Sequence, residues 1–189
     1  SYYSKEIMDS VYDSARPEHR QKYEILLAHG GDDRHIPMKV NQIQSLDYDY
    51  VAMGHIHKPQ ELVENHMAYA GALEPIDIND TGTHGYIEGR ISEKGCQIRF
   101  VCHASREYIH KDVQVHRAMT GHNLKQELER MIEENGRQNM YKITLTGFRD
   151  PDIWYDLEQM DPCGNVVEIV DHTKPAYDFE KLSNENKGN

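Results

Sequence analysis

Long hydrophobic runs are missing from this chain of 189 residues. No apolar stretch approaches the ~20 residues needed to span a bilayer, and the polar segment Ser1 to Arg20 lacks the apolar core of a signal peptide. A soluble, cytoplasmic protein without a membrane partner is the expectation. Cysteine is scarce as well. Cys96, Cys102 and Cys163 are odd in number and show no C-x-x-C spacing, which indicates neither a disulfide framework nor a thiolate zinc site. They read as buried or incidental thiols. Positive charge is in deficit, with 21 Lys and Arg against 32 Asp and Glu and a formal charge of −11. Affinity for a nucleic-acid backbone rests on Lys and Arg neutralising phosphates, so broad electrostatic binding by this chain alone is not expected. Lys58, Arg90, Arg99 and Lys111 are too scattered to form a basic groove. The single tryptophan, Trp154, reads as packing on a helix face.

What is present is a chain 38% hydrophobic, enough for one or two small domains with modest cores, and a conspicuous 12 histidines. Ile7, Met8, Val11 and Tyr12 suggest a short helix within Ser4 to Arg20, stopped at Pro17. Tyr23 to Ala28 is a nearly continuous apolar run that reads as a buried strand entering the flexible His29-Gly30-Gly31. A helix follows Pro37 through Met38, Ile43 and Leu46. Tyr50 to Met53 is a second buried strand, ending on Gly54-His55-Ile56-His57. Strands over Met67 to Ala70 and Gly85 to Ile91, and a hairpin at Ser92 to Gly95 returning through Gln97 to Cys102, make a β meander.

From about Ser105 the pattern becomes strand, helix, strand, helix, strand. Val113 and Val115 alternate with polar neighbours. Leu124, Leu128, Met131 and Ile132 form a helical stripe closed by Asn135-Gly136. Tyr141, Ile143 and Leu145 mark a sheet with one covered face. Ile153, Leu157 and Met160 suggest a second helix opened by Pro151, and Val166 to Val170 the closing strand. The fold class is α+β, with domains over 1–104 and 105–180 and a polar tail at 181–189. The second domain is expected to place two helices on one sheet face.

His29 lies 26 residues before His55, far enough for a crossover between parallel strands through the intervening helix. Adjacent strands would then bring His29 beside His55, with His57 two residues on. Strand ends delivering histidines are how α/β sheets build rigid sites, so a metal is favoured for these three. The other nine histidines read as ordinary surface or core residues. Asp32, Asp33 and His35, in the adjoining loop, read as a solvated polar stretch, with completion of a single-ion site as the alternative.

Three segments, 25–30, 49–60 and 69–77, with His29-Gly30, Gly54-His55-Ile56-His57-Lys58-Pro59-Gln60 and Tyr69-Ala70-Gly71-Ala72-Leu73-Glu74-Pro75 at their centres, resemble the second half of a calcineurin-like metallophosphoesterase. The nearest subgroup is the SbcD-like and YhaO-like DNA repair exonucleases. The resemblance covers Tyr2 to Ala104 and implies a half β-sandwich followed by a small cap-like module. It implies that His29 and His55 ligate one ion of a two-metal centre and His57 the other. Mn²⁺ is the expected cofactor, with Fe, Zn or Mg as alternatives. It also implies a parent that hydrolyses DNA with an SMC-like ATPase as partner.

The family's first half carries an Asp-x-His strand end, a bridging aspartate and an Asn-His pair, and none has a counterpart here. The chain opens in a way that resembles the middle of such a domain, so the expectation is a fragment beginning after those motifs. Without a bridging carboxylate two cations repel with little compensation. A dinuclear centre, and hence catalysis, is not expected from this chain alone. Ala70 and Ala72 stand where the family often has Pro and Ser. The alternative reading is a non-catalytic module binding protein or DNA, or forming a homo-oligomer through the strand edge that half a sandwich exposes.

Overall fold

The computed structural model describes residues 11–12, 14–32 and 35–177. It shows an α+β protein with several sheets and few helices. The chain divides into two compact units: Ser1–Ile76 with Thr83–Ser105, and Asp77–Gly82 with Arg106–Asn189. Among the described residues no helix is long and apolar enough to cross a membrane.

The first unit contains β1 (Ile25–His29), α1 (Val40–Gln44), β2 (Tyr50–Gly54), β3 (Gln60–Val63) and β4 (Met67–Tyr69), and then the hairpin of β5 (Gly85–Ser92) and β6 (Gly95–Cys102). The sheet order is β1-β2-β4-β3. β1 and β2 are parallel, β2 and β4 are parallel, and β3 returns antiparallel to β4. Because β1 and β2 run the same way, both of their histidine-bearing ends emerge at one edge of the sheet. Helix α1 makes the crossover and seals it with Ile43, fully buried with Leu46 against Val51, Met53 and Met67. Asp47, at φ 65, breaks the chain after α1 in the left-handed conformation that a short polar side chain tolerates. The hairpin pairs Gly85 with Cys102 through Ser92 with Gly95, and Asn65 holds it by accepting the Ile98 N–H at 2.9 Å.

One expectation for this unit needs correction, and one strand was not foreseen. β1 is not buried on both faces: Leu26 and Ala28 turn to the core, while Ile25 and Leu27 are 52% and 78% exposed. β3 was invisible to an apolar count because Gln60 and Glu61 are polar; it exists by backbone pairing with β4. The helix expected within Ser4 to Arg20 lies largely outside the described residues; the described positions among 11–20 hold turns and bends.

The second unit is built on β8 (Met140–Arg149), the centre of a parallel sheet with β7 (Tyr108–Val115) on one side and β9 (Val166–Asp171), then β10 (Lys174–Pro175), along the other. Helix α2 (Gly121–Asn135) crosses from β7 to β8. Thr120 caps it, its Oγ1 accepting the Asn123 N–H while the Asn123 side chain returns to the Thr120 N–H. Leu124, Leu128 and Ile132 are fully buried, and so are Tyr141, Ile143 and Leu145 on the alternating face of β8. The outer face of α2 is polar, with Arg130 joined to Glu127 and Glu134.

The second helix of this unit does not form. Residues 151–160 hold only a 3-10 turn at Leu157–Gln159. Arg149 accounts for part of this, because its guanidinium donates to the carbonyls of Asp150 and Ile153, which a helix would otherwise employ. Tyr155 turns inward, 4% exposed, and donates to the Met119 carbonyl at 2.8 Å. With Ile153 partly buried as well, the local period is two, not 3.6, and Trp154 points out between them. Trp154 is 84% exposed, so it is not a packing residue. The polar tail at 181–189 lies outside the described residues. None of the three cysteines is fully buried: Cys102 is exposed, and Cys96 and Cys163 are half-buried.

Candidate metal centre

The site begins with register. His29 stands opposite Gly54 across the parallel pair, and the Gly30 N–H donates to the Gly54 carbonyl at 3.2 Å. A side chain at Gly54 would place its Cβ 2.9 Å from His29 Nδ1, so the glycine makes room for the neighbouring imidazole. The chain leaves β2 through His55 at φ 103, a conformation that costs a non-glycine residue roughly 1–3 kcal/mol and that persists at functional sites when the surroundings over-determine it. The His29 and His55 rings meet edge-on with centroids 5.4 Å apart.

The loop after β1 supplies the other groups. Gly30 and Gly31, at φ 129 and 108, turn the chain sharply, and the Gly31 N–H donates to the carbonyls of both His35 and Ile36. Asp32 then forms a local turn, its Oδ1 accepting the His35 N–H at 2.7 Å. The same carboxylate lies 2.8 Å from His35 Nδ1 and 2.6 Å from His55 Nε2, and the His35 and His55 rings are 4.7 Å apart. Two tyrosines hold the backbone around this cluster. Tyr69 on β4 donates to the Gly30 carbonyl at 2.7 Å. Tyr12 accepts the His29 N–H at 3.0 Å and donates to the His29 carbonyl at 3.1 Å.

Electrostatics favours neutral imidazole at His29. Burial, and then the neighbouring His55, hold the His29 pKa below its ordinary value of 6.5. Ligation requires the deprotonated nitrogen, so the shift enlarges the pH range over which His29 can bind. Burial first, and the Asp32 charge second, push the Tyr69 phenol up, which keeps it a hydrogen-bond donor.

Asp32, His35 and His55 each offer a ligand atom within 4.8 Å of the others. His29 flanks the cluster through His55. His57 does not join it: its side chain is exposed, and its carbonyl accepts the Ala72 N–H at 2.8 Å beside Gly71, which has φ 79. Asp33 lies outside the described residues. Asp32 and His35 are partly exposed, as a solvated loop would be, and the Asp32 carboxylate in addition bridges two imidazoles. The available signal was the i, i+3 spacing of Asp32 and His35 directly after two glycines, a pattern that folds a short loop back on its own strand. Two nitrogens and one oxygen suit a single borderline divalent ion. Two ions would draw on the nitrogens of His29, His55 and His57 with one carboxylate, Asp32, in the described cluster.

No protein-family model matches the chain, and no curated protein matches it either.

Proposed function

We propose that this chain is part of a calcineurin-like metallophosphoesterase of the SbcD-like and YhaO-like DNA repair exonuclease type, contributing metal-binding histidines and a cap-like module to phosphodiester hydrolysis. The observation that carries the reading is the parallel β1–β2 pair, which delivers His29 and His55 from neighbouring strand ends with their rings 5.4 Å apart. In this reading His29 and His55 hold one ion and His57 the other, Mn²⁺ being expected, and such a pair lowers the pKa of a bound water and neutralises charge on the phosphate. The chain's own part is positioning. Tyr12 and Tyr69 fix the backbone at His29 and Gly30, Gly54 leaves space for the His29 ring, and a lowered pKa keeps that ring neutral. DNA and an SMC-like ATPase are the proposed partners of the parent protein.

The isolated chain is expected not to hydrolyse bis-p-nitrophenyl phosphate with Mn²⁺; robust turnover that His55→Ala abolishes would overturn that inactivity. The family reading is tested by the coding sequence upstream of Ser1. An Asp-x-His, a Gly-Asp and a Gly-Asn-His-Asp are expected there in that order, and an upstream reading frame without them sinks the assignment.

A second reading, a non-catalytic module that self-associates, draws on the outer edge of β1. Leu27 is 78% and Ile25 52% exposed on a strand that ends the sheet order among the described residues, and unpaired apolar edges recruit another strand. Light scattering at increasing protein concentration is expected to show a dimer if this holds, and a clean monomer throughout counts against it.

A further inference from the structure

We propose that Asp32, His35 and His55 form a mononuclear site for a borderline divalent transition ion such as Zn²⁺ or Co²⁺, with a ligand set different from the His29, His55 and His57 trio. The inference does not rest on the phosphoesterase reading: it concerns the chain by itself, where His55 Nε2 faces Asp32, whereas that reading gives His55 to the parent protein's two-metal centre. It is carried by convergence from two elements: the loop after β1 brings Asp32 and His35, the end of β2 brings His55, and the three ligand atoms lie within 4.8 Å of one another. Imidazole nitrogen with a single carboxylate is a donor set that zinc-like ions accept and that Mg²⁺ and Ca²⁺ do not favour.

The two distances from Asp32 to the imidazoles are close to ion-bound spacing. Asp32 reaches His55 at 2.6 Å and His35 at 2.8 Å. A tetrahedral ion with bonds of about 2.0–2.1 Å sets its ligands roughly 3.3 Å apart, so binding asks the two Asp32–imidazole pairs to open by roughly 0.5–0.7 Å. The backbone is set against larger movement. The Gly31 N–H clasps both His35 and Ile36 carbonyls, and the Asp32 carboxylate holds the His35 N–H. His55 keeps its φ of 103, a strained state that a bond to a metal would help to maintain. The charge balance also favours one ion. One carboxylate offsets half of one dication's charge, whereas a second dication nearby would add repulsion, and the described cluster holds one carboxylate, Asp32. The side chains remain partly open, Asp32 at 38% and His35 at 48%, which leaves room for water or a phosphate oxygen at the fourth position.

The experiment is Co²⁺ titration of the whole chain, read by visible absorption, with Zn²⁺ calorimetry for stoichiometry. One ion per chain is expected, with the intense visible bands of a four-coordinate cobalt site. His35→Ala and Asp32→Asn should each weaken Zn²⁺ by at least about 100-fold, since even second-layer losses cost 10–100-fold. His57→Ala should bind within about twofold of the parent chain, as it lies outside the ligand set. His35→Gln, read by circular dichroism beside His35→Ala, separates loss of a ligand from loss of the loop's fold, because a folded variant with weak binding supports the assignment. Undiminished binding in folded His35→Ala, or loss confined to His29→Ala and His57→Ala, overturns the proposal while leaving the phosphoesterase reading standing. No ion bound by the parent chain also overturns it. The upstream coding sequence decides the phosphoesterase reading separately.

Discussion

Replacing Gly31 by alanine is expected to destabilise the first unit by about 3 kcal/mol or more and to abolish the ion binding proposed for the histidine loop. The backbone at Gly31 has φ +108, which for a side-chain-bearing residue costs on the order of 1–3 kcal/mol. The new Cβ would also overlap the Tyr69 hydroxyl and stand 3.1 Å from Met38 Cε. Tyr69 cannot swing aside cheaply, since it is 4% exposed in the core and its hydroxyl is engaged with the Gly30 carbonyl at 2.7 Å. Displacing it would forfeit that bond, worth roughly 1 kcal/mol, and loosen the turn that carries Asp32 and His35. Gly82→Ala is the matched comparison. Gly82 also has a positive φ, +89, but nothing lies within 4 Å of its would-be Cβ, so only backbone strain remains. Urea midpoints of the two variants separate the effects, and a Gly31→Ala loss no larger than that of Gly82→Ala would refute the role assigned to Tyr69.

Leu128→Ala is expected to cost the second unit about 2–5 kcal/mol, the range for emptying a fully buried leucine site. Leu128 is 0% exposed on α2, within the cluster that includes Tyr141, Ile143 and Leu145 of β8. β8 pairs with every other described strand of this unit, so the described sheet has no independent subset to fall back on when the helix loosens. Glu129→Ala, on the solvated face, removes only a 3.7 Å contact to Arg137 and should change stability by under about 0.5 kcal/mol. Far-ultraviolet circular dichroism is the suitable probe. Trp154, the single tryptophan, is already 84% exposed in the folded protein, so its emission would change little on unfolding. A Leu128→Ala midpoint equal to that of Glu129→Ala would contradict the packing described.

Elements that advertise themselves by periodicity were legible in the sequence. The apolar runs before His29 and His55 mark β1 and β2, the stripe from Leu124 to Ile132 marks α2, and Ser92 to Gly95 marks the hairpin turn. The site was half legible. Strand ends identified His29 and His55 as neighbours, because a parallel pair needs only a crossover of sufficient length. Asp32 and His35 were not readable as partners of His55, since their placement depends on positive φ at Gly30 and Gly31 and on a tyrosine from β4, 39 residues away along the chain. Residues 151–160 misled for a related reason: Ile153, Leu157 and Met160 fit a helix on spacing alone, but Arg149 captures the carbonyls and Tyr155 turns inward. Polarity misled at β3, where Gln60 and Glu61 contribute backbone bonds and little hydrophobic signal.

The six residues Asp77–Gly82 belong to the second unit although they lie between two stretches of the first. Thr81 bridges Tyr108, and the His110 ring nitrogen reaches the Ile78 carbonyl at 2.7 Å. Emergence from the ribosome thus has an enforced order. The hairpin that completes the first unit appears only after this segment has left the tunnel, and the segment must wait for Tyr108 and His110, more than twenty residues later. Domains that are continuous in sequence can fold one at a time as they are made. Here residues 77–82 leave the tunnel before the hairpin, and their partners Tyr108 and His110 leave after it, so the final ordering of 77–82 follows the emergence of both hairpin strands.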